Sequence, residues 1–217
     1  MKPDSEADAV RTRTWSFFSK LLTSAQTKLL EHREVLRQLH EHGQPDVEAV
    51  RQVREKLDRV ARLVDNVAMQ LYFGCGAFDS KSNTDKDVLT SAQLQRFWQE
   101  ATSLFSALAL EPHPHTAHHI VQTLHYLLPC APREVFLLTT RSIVSSSAAG
   151  FQHESLAVGA VVELIQRALA DHRDIFQGNT GHESECLVAL LQVLDLFVEA
   201  GWAEARQLTH RLEEIYR

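Results

Sequence analysis

The sequence predicts an all-α protein, a long antiparallel helical hairpin followed by a HEAT-like helical-repeat bundle. Three observations carry this. Apolar residues between Trp15 and Leu71 recur every three and four positions, the seam of two packed helices. The 217 residues include only 8 Gly and 6 Pro among many Leu, Ala, Glu, Gln and Arg, which favours helices over turn-rich sheets. From Pro114 onward the pattern is helix, short break, helix, in units of roughly 35 to 45 residues such as α-solenoids use. The chain accordingly divides into a hairpin over 1–73, a loop over 74–89 and a repeat-like bundle over 90–217.

Residues 1–9 are charged and aperiodic, so the first helix is expected from about Val10 to His42. Its seam is Trp15, Phe18, Leu22, Ala25, Leu29, His32, Leu36 and Leu39. Gly43 suits the left-handed C′ position, Pro45 blocks continuation and Asp46 caps the second helix. That helix carries Val50, Val53, Leu57, Val60, Val64, Val67 and Leu71 on one stripe. Each arm would be roughly 40 Å long. Five basic and five acidic residues between Asp46 and Asp65 suit an exposed face laced with i,i+4 pairs.

The polar run Gly74–Asp87 reads as a loop. A third helix follows from Ser91, with Phe97, Trp98, Ala101, Leu104, Phe105 and Leu108, and ends before Pro112. The fourth starts near Pro114 or Thr116 and stops at Pro129; Pro132 opens the fifth, which gives out in Ser145–Gly150. A sixth is expected over Glu154–His172, then a break at Gly178–Gly181. Leu187–Val198 is apolar nearly all round and should be the most buried helix of the C-terminal half. Gly201 ends it, and Ala203–Tyr216 closes the fold with Leu208, Leu212 and Ile215 on one stripe.

A net charge of −6 argues against a generic nucleic-acid binder. The charge is uneven: Val10–His42 holds six Lys or Arg against three Glu, whereas 150–217 holds five Arg against eleven acids. Three dispersed cysteines, Cys75, Cys130 and Cys186, with no C-x-x-C pair, fit a reduced cytoplasmic setting. Met1–Asp8 lacks the basic-then-apolar order of a signal peptide, and no stretch reaches 18 apolar residues, so no membrane span is expected.

The densest cluster of chemical groups is His113-Pro-His115-Thr-Ala-His118-His119. His115 and His119 are four apart and would share a helical face, the geometry two metal-ligating imidazoles can use. No Cys or carboxylate at matching spacing completes a zinc set, and a polar, solvated helix N-terminus accounts for the same residues. Asp195 in its apolar helix reads as a partner for Arg206 or Arg167, or as part of a narrow polar strip, and Glu163 reads alike. Cys75 between two glycines is a candidate reactive thiol, though no basic neighbour lowers its pKa; Cys130 between prolines reads as a buried turn residue. Phosphate-loop, dinucleotide, nucleophile-elbow and H-E-x-x-H motifs are all absent. No catalytic residue and no cofactor is assigned.

Four runs near the C-terminus carry a resemblance: Phe151-Gln-His-Glu-Ser-Leu-Ala, Asp171-His-Arg-Asp-Ile-Phe, Leu194-Asp-Leu-Phe-Val-Glu-Ala-Gly-Trp and Arg206-Gln-Leu-Thr-His-Arg-Leu-Glu-Glu-Ile. Residues 124–217 resemble the last helices of large bacterial ATP-binding proteins with long helical-repeat tails. The resemblance implies a sensor or scaffold tail of such a machine. The ATP-binding motifs themselves are not present, so that activity is not implied.

The expected job is therefore non-catalytic protein–protein interaction. The expected contact residues are Trp15, Phe18, Leu22, Leu29, Arg33, Leu36 and Arg37 on the first arm, where exposed heptad positions could also pair two copies as a homodimer. Two alternatives belong to other classes. One is a nucleic-acid module using Arg11, Arg13, Lys20, Lys28, Arg33 and Arg37; the other is a metal-dependent enzyme built on His115 and His119.

Overall fold

The computed structural model describes residues 5–41, 46–76, 90–148, 158–177 and 184–201, all helix, turn or short connection, with no strand among them. The fold is all-α. Helix α1 spans Ser5–Glu41 and α2 spans Val47–Gly74. The first arm thus starts earlier than Val10. At 1.5 Å per residue α1 is about 55 Å long and α2 about 42 Å. Asp46 caps α2 as expected, accepting a hydrogen bond from the Glu48 amide at 2.9 Å.

The two arms pack along their seams, but burial is uneven. Leu22, Ala25 and Leu29 of α1 and Val60, Val64, Val67, Ala68 and Leu71 of α2 are buried, whereas Leu36 and Leu39 are only half-buried. The buried portion is where later helices flank the hairpin. Helix α3 (Ser91–Leu108) lies against α1, and α4 (Pro114–Leu127) lies against α2. Toward the tip the arms have only each other, and their polar faces carry ion pairs such as Arg51–Glu48 at 2.7 Å and Arg51–Glu55 at 2.8 Å.

Helix α3 begins with a capping box that the sequence reading passed over. The Thr90 side chain accepts from the Gln93 amide while the Gln93 side chain accepts from the Thr90 amide at 2.8 Å. Pro114 and Pro132 open α4 and α5 (Pro132–Ala148), each in its first turn. The described part of the fifth helix ends at Ala148, inside the Ser145–Gly150 stretch where it was expected to give out. Ser146 returns its hydroxyl to the Ser142 carbonyl at 2.9 Å, so the buried serine costs the helix no unpaired group there.

Helix α6 is described over Val158–Asp171, followed by a short 3-10 turn at Arg173–Phe176 and α7 over Glu185–Glu199. Gly201 ends α7 with φ +78°, a conformation favouring glycine, and Gly76 does the same after α2 with φ +79°. Expectations at Gly43–Pro45, over most of the 74–89 loop, at 149–157, at Gly178–Gly181 and over the Ala203–Tyr216 helix lie outside the described residues.

The packing order is α1 on α2, α2 on α4, α4 on α5 and α5 on α7, with α3 bridging α1 and α4 and α6 leaning on α4 and α5. One apolar core runs through this series from Leu22 to Phe197, across the sequence division near residue 90. Helix α4 is its hub: Ala117, Ile120, Val121, Leu124 and Leu127 are buried, as are its threonines Thr116 and Thr123. The expectation that Leu187–Val198 would be the most buried helix is corrected. Val188, Leu191 and Val198 on α7 are 44%, 50% and 43% exposed. Its chief packed neighbours among the described elements are α5 and the 3-10 turn.

Candidate functional site

The predicted contact residues of the first arm are largely engaged within the fold. Leu22 and Leu29 lie in the core. Trp15 is half-buried, its indole N–H donating to Glu100 Oε2 at 2.9 Å and its ring meeting Phe97 edge-on at 5.5 Å. Phe18 and Leu36 are half-buried too. Arg33 reaches Glu111 at 3.5 Å, and Arg37 holds Glu34 at 2.6 Å and also pairs with Glu41. Hydrogen bonds from Arg37, then from Gln38, hold the exposed Glu34 carboxyl down at about 2. Arg11 pairs with Glu100 at 2.9 Å. Half of the basic set considered for phosphate contacts is thereby matched with carboxylates, leaving Arg13, Lys20 and Lys28 on exposed positions.

The histidine pair separates. His115 is exposed, whereas His119 turns toward α2, its Nδ1 3.0 Å from Asp65 Oδ1 and its ring 6.1 Å from that of Tyr72. Among the described residues no three His, Cys, Asp or Glu side chains converge as a metal set. Asp195 is exposed; Arg167 pairs instead with Asp171 at 3.7 Å, within its own helix. Glu163 is exposed as well, 4.0 Å from His125. Cys75 is fully buried at the end of α2, its thiol directed to the Tyr72 carbonyl at 3.3 Å, which corrects the accessible-thiol reading. Cys130 sits half-buried in the turn after α4, and burial raises its pKa.

Two concave features stand out. The larger is an open groove of about 530 Å³ between α5 and α7. Leu137, Val144, Val188 and Ala189 make its apolar lining, and Arg141, Glu185 and Gln192 its polar margin. Glu185 is held by Arg133 at 2.7 Å, whereas Arg141 has no carboxylate partner among the described residues. Leu191, exposed on the same helix, extends the apolar character of α7. The sequence signal was the Leu187–Val198 run itself, apolar on more faces than one neighbour can cover.

The smaller is a hollow of about 130 Å³ where α1 and α2 meet the connection into α4. Its polar lining is Arg33, Asp58, Glu111, His113 and Thr116. The Glu111 side chain is only 7% exposed, although it belongs to a connection rather than a helix. Burial pushes the His113 imidazole below its usual pKa, reinforced by His115 and opposed by Asp65, Asp58 and Glu111. Other buried threonines return their hydroxyls to the preceding turn, as Thr123 does to the His119 carbonyl at 2.7 Å. The fully buried Thr116 Oγ1 does not and has no hydrogen-bond partner among the described residues.

Within the described parts of the four C-terminal runs, Phe176, Leu194 and Phe197 are buried core residues. No protein-family model, no curated protein and no solved structure matches the chain.

Proposed function

We propose that the protein is a non-catalytic helical scaffold or sensor that binds a protein partner along the groove between α5 and α7. The observation that carries this reading is the groove itself: an apolar floor, an exposed α7 flank at Val188 and Leu191, and an Arg141 guanidinium with no carboxylate partner among the described residues. Two neighbouring helices with an open furrow between them accept a third helix, read through its apolar i, i+3, i+4 anchors. The partner segment is therefore an amphipathic helix with an acidic residue placed for Arg141. The tail of a larger ATP-binding machine, which the helical-tail resemblance implies, would have such a job.

The test is affinity capture from host lysate after nuclease treatment, with the wild-type protein beside Val188→Asp and Arg141→Glu. One protein retained near-stoichiometrically by wild type and lost by both variants, at unchanged circular dichroism, supports the groove. Equal retention by all three removes it. Material released by nuclease would transfer the role to nucleic acid and to the exposed Arg13, Lys20 and Lys28.

A further inference from the structure

The exposed side of α7 carries a regular pattern of its own. Val188, Leu191, Asp195 and Val198 are all exposed, and they are spaced by three and four residues. At about 100° per residue the four fall within about 80° of the helix circumference, over roughly 15 Å of its length. That is the spacing of a helix–helix seam with one carboxylate set into it. Asp195 makes no ion pair among the described residues. An occupant that covers this stripe must therefore bring Asp195 a cation.

The cation is on the neighbouring helix. Helices α5 and α7 run parallel: Arg133 meets Glu185 at 2.7 Å near their starts, and Leu137, Arg141 and Val144 line the groove with Val188, Ala189 and Gln192. Arg141 thus stands level with the Leu191–Gln192 step, and it too has no ion pair among the described residues. Two opposite charges on one face are left unmatched within the chain. An α7 from a second copy, laid antiparallel and centred at the level of Val193, matches both. It sets Val188 beside the second copy's Val198, and brings the second copy's Asp195 to the level of Leu191, at Arg141. The two-fold axis repeats each contact.

We propose that α7 pairs antiparallel with α7 of a second copy of this chain, Val188, Leu191 and Val198 forming the seam and Arg141 of each copy binding Asp195 of the other. This rests on the groove between α5 and α7 as a helix-binding site and names the helix: α7 is itself amphipathic and carries the acid that Arg141 needs. The contact is small. Three apolar side chains a copy are few beside the roughly 20–30 residues a side of a standard interface, so the dimer is weak and reversible. In dilute solution α7 stays uncovered.

The experiment is sedimentation velocity of the full chain from about 1 to about 500 µM, a span suited to a weak contact. A reversible rise from monomer to dimer is expected. Arg141→Glu and Asp195→Arg, both at exposed positions, should each weaken dimerisation by about tenfold or more. The double variant should recover it, because the exchanged charges again face each other across the axis. A chain monomeric throughout, a dimer indifferent to both single changes, or no recovery in the double variant overturns the proposal. The groove reading fails separately, by equal lysate capture with wild type and variants. A chain monomeric alone that still captures a foreign helix through Arg141 refutes only the self-pairing.

Discussion

Helices α4 and α7 are both rich in apolar residues, and α7 is the more continuously apolar of the two in sequence. Yet α4 is enclosed by α2, α3, α5 and α6, while among the described elements α7 rests chiefly on α5 and the 3-10 turn and leaves Val188, Leu191 and Val198 about half exposed. Burial is set by how many neighbours reach a helix, which its own composition does not encode. Surplus apolar surface on a helix with few neighbours is what a binding face requires.

The sharpest way to break that contrast is a pair of truncations. Leu124→Ala on α4 should cost about 2–5 kcal/mol, because a fully buried leucine leaves a cavity in a close-packed hub. Leu191→Ala on α7 should stay within about 0.5 kcal/mol, as surface changes do. Similar costs in urea titrations would mean that α7 is covered in solution.

Amide exchange should rank the same two helices without mutation. Protection in α4 is expected to approach the global unfolding limit, while α7 opens more readily. Faster exchange in α4 than in α7 would invert the comparison.

Thiol reactivity resolves the two sides of α7. Cys186 is buried on its inner side, and burial, the largest cause, pushes its pKa up to about 11. At pH 8 only about one thiol in a thousand is then thiolate, the form that alkylates. Cys130, half-buried in the turn after α4, should react with iodoacetamide before Cys186 and Cys75 do. Prior loss of Cys186 would show that the inner side of α7 is also wet.

The smallest effect belongs to the Arg133–Glu185 bridge from α5 to α7, with both side chains more than half exposed. Arg133→Ala should change stability by no more than about 0.5 kcal/mol, and less still in high salt. A larger loss would mean that this bridge, rather than the apolar inner side, fastens α7.

What was legible in the sequence follows the range of the forces involved. Caps and breakers act over a few residues, so Asp46, Pro114, Pro132 and Gly201 mark their helix ends correctly, and the Thr90–Gln93 box could have been read the same way. Seam periodicity identified the inward faces of α1 and α2. It said nothing of flanking helices, so Leu22 and Leu29 read as contact residues when α3 and α4 help to bury them. The hollow was illegible: Arg33, Asp58, Glu111 and Thr116 come from different elements and form no local pattern. His115 and His119 stood out for a metal chemistry that no cluster among the described residues assembles.

The uneven burial along the hairpin also has a mechanical side. Beyond Leu29, the last fully buried residue of α1, twelve helical residues remain, about 18 Å of rod at 1.5 Å per residue. A tilt of about 5° at that point carries Glu41 through roughly 1.6 Å and Leu22, seven residues the other way, through about 0.9 Å. The free length exceeds the roughly 10 Å between Leu22 and Leu29, so an adjustment at Leu22 arrives at the tip enlarged by about 1.7-fold.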